Sequence, residues 1–343
     1  MEEAMSTWRG LTLALGVGIW LVPAGPARAQ DAATTVRPFS GGIWSARVEN
    51  DKFTTLPLGS DKYYTNGLEA AWTSDPGRVP EVLDRLAGLL WGDGQRRWGL
   101  GISQQIYTPT NTGTATPNPH DRPLAGYLAG TISLSQDSGN HRDQMALSVG
   151  VIGPSAFGRQ VQNGWHSFIH VAPNRGWDKQ MPDEPVLQLV VGRTWRLPMA
   201  RLGGLETDAL PSLTAGVGTL RDYVQTGLAF RLGQGLDADF GPARIRPGLS
   251  GGNAYNADAK LAWYVFLAAD GQAVARDALL DGDIFSHSAH VGHKRAVAEL
   301  LAGAAIIWHG VRLSYTQTWQ TEQFNGQKAG LFNFGSLTAS ARF

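Results

Sequence analysis

Apolar and polar residues alternate with a period of two along most of this chain. Trp44, Ala46 and Val48, for example, alternate with polar or charged neighbours such as Arg47 and Glu49, and the pattern recurs to the C-terminus. Because side chains of a β-strand point alternately to opposite faces, the pattern predicts strands with one apolar and one polar face. Many such strands in succession are typical of a transmembrane β-barrel.

The alternation predicts an all-β fold, a transmembrane antiparallel β-barrel of about twelve strands, and an even strand number is the rule for single-chain bacterial barrels. The predicted strands are 43–50, 65–74, 96–107, 124–135, 142–152, 185–197, 206–218, 221–233, 258–269, 295–308, 310–320 and 331–343. Two stretches fit poorly: 75–95, in which 79–90 has the pattern of a short helix, and 234–257, which is rich in Gly and Pro. The segment 270–294 is either a long loop or the extended tips of two strands.

Composition supports this class of protein. The chain has 343 residues with zero formal net charge, 43 Gly, 12 Trp and no Cys. A neutral chain gives no indication of a nucleic-acid partner, and the lack of Cys excludes disulfides, thiolate metal sites and Cys nucleophiles. The mean hydropathy of -0.17 is too low for a bundle of membrane helices. A membrane protein of this composition would therefore cross the bilayer with strands.

The N-terminal segment has the pattern of a targeting sequence. Arg9 precedes an apolar run at 11–22, and the small-x-small tripeptide at 27–29 provides a cleavage site. The run is shorter than the roughly 20 apolar residues that a spanning helix needs. We therefore predict a signal peptide over 1–29, followed by a barrel domain over 30–343.

The last predicted strand alternates apolar residues with Ser, Thr and Arg and ends in Phe343. A C-terminal aromatic residue on such a strand looks like the signal that outer-membrane barrels present to their assembly machinery. A soluble β-sandwich could end in the same way by chance. Together with the signal peptide and the many Trp residues, the strand favours a location in the outer membrane of a Gram-negative cell.

Strand parity places three predicted loops at one rim of the barrel. With the N-terminus in the periplasm, the first, third and fifth strands run outward, so the loops 51–64, 108–123 and 153–184 emerge at the cell surface. These loops carry most of the side chains that could take part in catalysis or bind a ligand. We therefore expect the rim that holds the active site to face the outside of the cell.

The first of these loops begins with oxygen-bearing side chains. Asn50 and Asp51 end the first strand and Thr65 begins the second, so an amide oxygen, a carboxylate and a hydroxyl converge across one hairpin. Hard oxygen ligands of this kind suit Ca²⁺, which polarises ester carbonyls. Asn-Asp pairs also cap turns by bonding their own backbone, and from the residues alone this turn is the favoured interpretation.

The third loop contains a predicted extracellular helix. Val161, Trp165 and Phe168 fall at helical spacing on one apolar face, and Gln162 and His166, four residues apart, stack on a neighbouring face. A His in this position can act as a general base that takes a proton from water, with the Gln orienting the water or the substrate. The alternative is that this His is an ordinary polar residue of an amphipathic helix, which is the commoner case.

Three segments of the chain carry a family resemblance. They are Glu49-Asn50-Asp51-Lys52-Phe53 with Asp61-Lys62-Tyr63-Tyr64-Thr65-Asn66-Gly67, then Gly153-Pro154-Ser155-Ala156-Phe157-Gly158, then Val161-Gln162-Asn163-Gly164-Trp165-His166. On these segments the chain, from about 43 to 343, resembles the outer-membrane lipid A deacylases, barrel enzymes that remove a 3′-O-linked acyl chain from lipid A. The resemblance implies lipid A of the outer leaflet as substrate and Ca²⁺ held by Asn50 and Asp51. It further implies that Thr65 lies at the ester carbonyl, that His166 activates water and that Gln162 assists.

The second loop adds two candidate substrate contacts. Gln104-Gln105-Ile106-Tyr107-Thr108-Pro109 and Asp121-Arg122-Pro123 look like the end of the family's third strand and the start of its fourth. This match suggests Tyr107 and Arg122 as substrate-binding residues, since a guanidinium can grip a lipid A phosphate. An ion pair of Arg122 with a nearby Asp is an equal alternative. Some family members carry a basic cluster in this loop, whereas 110–119 contains no Lys or Arg here.

Two other classes of function stay open on the sequence. One is a non-enzymatic barrel, either a narrow pore or a surface scaffold, whose rim residues only shape loops. The other is an outer-membrane phospholipase with a Ser-His pair, for which Ser167 beside His166 is a candidate. An enzyme barrel of this size is expected to have a lumen blocked by inward side chains such as Arg47, Glu49 and Arg97, and a pore is not.

Overall fold

A computed structural model of the chain describes residues 42–54, 62–242 and 252–343. The predicted signal peptide, 1–29, lies outside these residues, as does Asp61 of the first loop. The signal peptide therefore stays a prediction.

Within the described ranges, twelve long strands and one strand of two residues form a single antiparallel sheet. The strands are β1 (Ile43–Asn50), β2 (Tyr63–Thr73), β3 (Gln95–Thr108), β4 (Ala125–Ser138), β5 (His141–Ile152), β6 (Glu184–Trp195), β7 (Leu197–Pro198), β8 (Glu206–Gly218), β9 (Arg221–Gln234), β10 (Leu261–Asp277), β11 (Ala296–Trp308), β12 (Val311–Gln320) and β13 (Phe332–Arg342). The sheet closes on itself because β1 pairs with β13 and β6 pairs with β8. The predicted fold class, an antiparallel barrel of about twelve strands, is confirmed.

Strand boundaries agree with the prediction except around β7 and β10. The strand predicted over 185–197 ends at Trp195, and the next residues form the short β7, which pairs only with β8. β10 continues to Asp277, beyond its predicted end at 269, because its tip stays paired with β9. The ambiguous segment 270–294 is therefore the tip of β10, a short helix and a loop.

The two faces of the sheet differ as the alternation predicts. In β1, the Arg47 and Glu49 side chains are buried in the lumen, whereas Trp44 on the other face is 47% exposed. Arg47 pairs with Glu69 of β2 across the lumen side, with 2.8 Å between Nη1 and Oε1. Large apolar side chains are exposed around the outside of the barrel, among them Ile102, Ile132, Leu147, Val149, Leu187, Val191, Leu213, Val265, Leu267, Leu300, Leu313 and Leu337. We call this apolar outside of the sheet the outer wall.

The lumen is plugged at the rim where β1 begins and β13 ends, which we call the termini rim. Segment 235–242 folds into the barrel there and buries Asp239 completely. The Asp239 carboxylate pairs with Arg231 at 2.7 Å and with Arg312 at 3.3 Å, and accepts a hydrogen bond from the Tyr264 hydroxyl at 2.9 Å. Burial by itself raises the pKa of Asp239, but the two guanidinium groups outweigh it and hold that pKa below its usual range. The carboxylate is therefore ionised inside the plug.

The opposite rim, which we call the long-loop rim, is also filled. Aromatic and aliphatic side chains from strand ends and loops form one buried cluster there, including Tyr63, Tyr64, Tyr107, Leu279 and Phe324. Between the two plugs lies a cavity of about 180 Å³, lined in part by polar groups. Side chains thus block the lumen at both ends, as the sequence predicts for an enzyme barrel.

Three α-helices occur among the described residues: α1 (Glu81–Trp91), α2 (Gly158–Phe168) and α3 (Ala278–Asp281). Short 3₁₀ turns cover Pro154–Ala156, Gly176–Lys179 and Leu236–Ala238. α1 confirms the helix predicted over 79–90 and lies at the termini rim, between β2 and β3. α2 is the predicted helix of the third long loop. In the part of the chain that the structure describes, no helix is long and apolar enough to cross a membrane.

Candidate functional site

The site begins at the turn that follows β1. The Asn50 side-chain oxygen accepts a hydrogen bond from the backbone N–H of Lys52 at 2.8 Å, and Asp51 Oδ2 accepts one from the backbone N–H of Lys62 at 3.2 Å. Both side chains therefore shape the hairpin, as the turn interpretation predicts. Amide and carboxylate oxygens each carry two lone pairs and can accept more than one bond. Asp51 is fully buried in the turn.

The turn packs closely against the outer wall at a glycine of β13, which has no side chain to prevent the approach. The backbone of Phe53 lies on Gly335 of β13, where a Cβ would come within 2.2 Å of the Phe53 carbonyl oxygen. That oxygen accepts a hydrogen bond from the Tyr315 hydroxyl on β12 at 2.9 Å. The close approach requires Gly at position 335, and it sets the position of the turn that carries Asp51.

A β-bulge directs the start of β2 to the outer wall. Tyr64 pairs with Tyr107 and Asn66 pairs with Ile106, which leaves Thr65 as the extra residue. Tyr64 faces the lumen, where its hydroxyl bonds Glu49. Because a bulge places two successive residues on the same side, Thr65 and Asn66 both face outward. A strand without the bulge would turn one of them into the lumen.

Two hydrogen bonds connect these outward residues to their neighbours. The Thr65 hydroxyl bonds the Thr108 hydroxyl of β3 at 2.7 Å, and Asn50 Nδ2 lies 3.4 Å from Asn66 Oδ1 across the β1–β2 pair. The outer wall thus carries a polar patch at the long-loop end of β1, β2 and β3. Sequence reasoning missed Asn66 and Thr108, although the position of Asn66 opposite Asn50 in the hairpin could have indicated the first.

α2 covers the wall beside this patch with its polar face inward. Gly158, Gln162 and His166, spaced four residues apart, are its buried residues. Trp165 and Phe168 are 56% and 74% exposed on the opposite side. The helix approaches β4 closely at Gly158, where a Cβ would lie 3.1 Å from Gly126 Cα of β4 and 2.5 Å from the Trp177 ring. The row of Gln162 and His166 therefore faces the barrel, and the aromatic residues face away from it.

The Gln162 amide is held in one orientation. Its oxygen accepts hydrogen bonds from Trp177 Nε1 and Asn174 Nδ2, each at 3.0 Å. Trp177 Nε1 and Asn174 Nδ2 are hydrogen-bond donors only, so the amide oxygen and the amide nitrogen of Gln162 cannot exchange places. Its Nε2 is buried and has no hydrogen-bond partner among the described residues. Gln162 therefore presents N–H donors to the site, and the sequence contains no signal that would have identified Trp177 or Asn174.

His166 is held by the loop that follows α2. Its Nδ1 lies 2.8 Å from the backbone carbonyl oxygen of Ala172. A carbonyl can only accept, so Nδ1 carries the hydrogen and, in the neutral ring, Nε2 carries the lone pair. This tautomer has the basic nitrogen on the far side of the ring from the loop.

Ile106 joins the two groups of residues. It is the β3 partner of Asn66, and it packs in one buried cluster with Trp177 and Val161 of α2. Trp177 in turn bonds Gln162. The polar patch and the helix residues are therefore neighbours on one stretch of the outer wall.

Tyr107 and Arg122 lie elsewhere. The Tyr107 side chain of β3 points into the lumen. The Arg122 guanidinium stacks on the Tyr107 ring, with 4.3 Å between Cζ and the ring centroid. Arg122 is 1% exposed and donates to the Gln323 side chain at 2.8 Å. Both side chains lie on the lumen side, because the strand parity that turns Thr108 outward turns Tyr107 and its partner inward, and their role as substrate contacts stays a prediction.

The oxygen atoms around Asp51 fit Ca²⁺ by their chemistry. The described residues contain no cluster of three or more His, Asp or Glu side chains that could hold a metal. The patch offers one carboxylate with the amide oxygen of Asn50, and hard oxygen donors are the ligands that Ca²⁺ takes. A single carboxylate predicts a weak site, since affinity for Ca²⁺ rises with the number of charged ligands.

The fold and the site together define a class of protein. It is an outer-membrane β-barrel with a filled lumen and a candidate site on its outer wall, beneath a helix. The family model for outer membrane protein LpxR matches residues 13–343. The chain therefore belongs to the LpxR family of outer membrane proteins.

One solved structure, LpxR from Salmonella typhimurium, has the same fold. LpxR from Salmonella typhimurium matches with a TM-score of 0.73 at 19% sequence identity, over 88% of this chain and 100% of that chain. The β-domain of the Bordetella autotransporter BrkA matches with a TM-score of 0.41 at 12% identity, over 88% of this chain and 99% of that chain. No curated protein matches the chain in sequence.

Proposed function

We propose that this protein is a lipid A deacylase that hydrolyses a 3′-O-linked acyl ester in the outer leaflet. The observation that carries the proposal is the orientation of α2, which buries Gln162 and His166 against the outer wall and exposes Trp165 and Phe168. A site on the wall would take its substrate from the lipid and not from the lumen. Its substrate is then a membrane lipid, and membership of the LpxR family indicates lipid A.

The proposed chemistry is attack of water on the ester carbonyl. His166 Nε2 takes a proton from the water as its oxygen bonds to the acyl carbon, and the ester C–O bond then breaks. The proton passes to the departing alkoxide, which leaves as the sugar hydroxyl while the acyl chain leaves as a fatty acid. The N–H donors of Gln162 orient the water or the ester carbonyl. The Thr65 hydroxyl would lie beside that ester carbonyl.

Asn50 and Asp51 would hold Ca²⁺ in this proposal. When bound, the ion would supply Lewis acidity that polarises the ester carbonyl and stabilises its developing negative charge. The support is the all-oxygen donor set at the hairpin. Arg122 and Tyr107 have no part in the proposed chemistry, because both are buried on the lumen side.

The competing functions have less support in the structure. A pore needs an open lumen, whereas described side chains block both ends. A Ser-His hydrolase needs a Ser whose hydroxyl bonds a His, whereas the Ser155 hydroxyl donates to the Asp183 carboxylate at 2.7 Å. Ser167 is exposed on α2, away from the buried face that carries His166.

We further propose that the long-loop rim faces the cell exterior and that the assembly machinery binds β13. Long loops outside and short turns inside are the rule for outer-membrane barrels. Phe343 continues the alternation of β13 on its outward side. It is 80% exposed, so its ring is accessible to a partner protein.

The test of the proposed function is mass spectrometry of lipid A. Outer membranes that contain the protein, supplied with Ca²⁺, are expected to lose the mass of one 3′-linked acyl group, and membranes without it are not. Unchanged lipid A from a folded, membrane-inserted protein would contradict the proposal. Intact phospholipids in the same extract would separate lipid A hydrolysis from phospholipase activity.

Trp177→Phe tests the orientation of Gln162. The substitution keeps an aromatic ring but removes one of the two hydrogen bonds to the amide oxygen, a net loss of about 0.5–1.5 kcal/mol for a bond of this kind. We expect kcat for lipid A to fall by about 2- to 12-fold with KM unchanged. Trp165→Phe is the matched control, because Trp165 is exposed on the opposite face of α2. Equal kcat values in the two variants would argue against a role of Trp177 in positioning.

A further inference from the structure

α1 is an amphipathic helix whose apolar face has no partner among the described residues. Val82, Leu86, Leu89 and Leu90 are 79%, 38%, 86% and 52% exposed. They recur at the spacing of one helix face. Ala87, on the other side, is completely buried. Exposure of such an apolar face to water alone would be energetically unfavourable.

The buried side of α1 is fastened to the outer wall and not to the lumen. Asp84 pairs with Arg96 of β3 at 2.8 Å, and Gln136 of β4 donates to the backbone oxygen of Trp91. Arg97 and Asp137, the next residues along each strand, form an ion pair in the lumen. Alternation therefore places Arg96 and Gln136 on the outside. α1 lies on the outside of the barrel, and its apolar face points away from the wall.

The part of β3 between α1 and α2 matches the height of the apolar band of an outer-membrane barrel. Both helices lie on β3, α1 at Arg96 and α2 at Ile106. Those positions are ten residues apart (106 minus 96) in one strand. At about 3.4 Å per residue and a strand tilt of about 40°, the interval spans about 25 Å along the membrane normal, which is the height of the apolar band of such barrels.

The wall between the helices is apolar and aromatic where it meets α1. Its outward β3 residues on the α1 side are Trp98, Leu100 and Ile102, and Gln104 follows them next to α2. The ring of Trp98 packs against the ring of Trp72 of β2, with 5.2 Å between the ring centroids. Trp residues concentrate at the boundary between lipid and water. The apolar face of α1 is therefore continuous with the lipid-facing wall at one of its boundaries.

We propose that α1 is an interfacial membrane helix that inserts Val82, Leu86 and Leu89 into the phospholipid leaflet at the termini rim. Amphipathic helices of this kind lie in the interface plane with the apolar face about 5–10 Å deep. The Asp84–Arg96 pair fixes α1 at that depth. α2, with Trp165 and Phe168 exposed, occupies the corresponding place at the other leaflet.

The experiment uses single-cysteine variants of the full chain, since the natural sequence contains no Cys. Val82→Cys and Leu89→Cys report on the apolar face of α1, Ile132→Cys on the middle of the outer wall, and Asp93→Cys on the exposed residues after α1. Each is labelled with an environment-sensitive NBD fluorophore. The proteins are then folded into vesicles of phosphatidylethanolamine and phosphatidylglycerol.

We expect the labels at positions 82 and 89 to have blue-shifted emission and to be quenched by lipids brominated near the headgroup. The label at 132 should be quenched best by lipids brominated near the chain end, and the label at 93 by iodide present on both sides of the vesicle. If the labels at 82 and 89 are quenched by iodide as strongly as the label at 93, the helix lies in water and the proposal is wrong. The outcome does not depend on the proposed deacylase activity.

Discussion

His166→Ala is expected to lower the rate of lipid A deacylation by about 10²- to 10⁴-fold, the usual contribution of a positioned general base. The Nδ1–H bond to the Ala172 carbonyl leaves the Nε2 lone pair as the base, and alanine provides none. The measurement is the rate at which the 3′-acyl mass disappears from lipid A in outer membranes supplied with Ca²⁺.

The control for this prediction is His170→Ala. His170 is exposed just beyond α2, and its Nδ1 lies 3.1 Å from the carbonyl oxygen of Phe168 at the end of α2. Both variants must give the heat-modifiable gel migration of a folded barrel. Wild-type rates in folded His166→Ala would remove the general base from the mechanism, and a parallel loss in His170→Ala would indicate damage to the loop instead.

Removal of Ca²⁺ is expected to lower the deacylation rate at least about 100-fold, because a bound metal supplies several kcal/mol of charge stabilisation in the transition state. EGTA should stop turnover and added Ca²⁺ should restore it. Asp51→Asn should be inactive in both conditions, since the substitution removes the one carboxylate of the proposed donor set. Activity that is indifferent to EGTA would contradict the proposed metal.

A second measurement separates metal binding from activity. Ca²⁺ should raise the unfolding temperature of the wild-type barrel in detergent, because a ligand that binds only the folded state stabilises it by mass action. Asp51→Asn should show no such rise. Asp121→Asn is the matched control: Asp121 is an acidic residue of the second long loop whose carboxylate bonds nearby backbone N–H groups. A rise in Asp51→Asn equal to that of the wild type would place the ion elsewhere.

Much of the barrel was predictable because its strands depend on local pattern. The alternation of Trp44 and Val48 with Arg47 predicts β1 and its two faces before any partner strand is known. Strand parity then places the three long loops at one rim. The main error in boundaries, the long β10, arose because its tip is held by pairing with β9, which hydropathy does not reveal.

The face that α2 presents to the barrel was not predictable. The sequence separates an apolar face with Trp165 from a row with Gln162 and His166, but it does not say which medium each meets. In a soluble protein the apolar face would be buried. Here the structure buries the polar row, because the apolar environment of a membrane barrel lies outside the protein.

Contacts between distant parts of the chain complete the candidate site. Trp177 orients Gln162 and Gly335 receives the turn at Phe53, yet neither belongs to a motif. Arg122 was predicted at an accessible rim position, and its burial against Tyr107 follows from the lumen-facing parity of β3. Such contacts depend on how strands register and loops fold back, which local sequence does not encode.

The sequence by itself determined the barrel, its two chemically different faces and the rim that gathers Asn50, Asp51 and His166, because these follow from a period of two and from strand parity. The tertiary structure alone decided that α2 turns Gln162 and His166 to the wall and that Gln162 presents its N–H groups. It also decided that α1 lies on the outside at the other boundary of the apolar band. Each of these outcomes depends on contacts between residues that are not adjacent in the chain, and a pattern of period two does not encode such contacts.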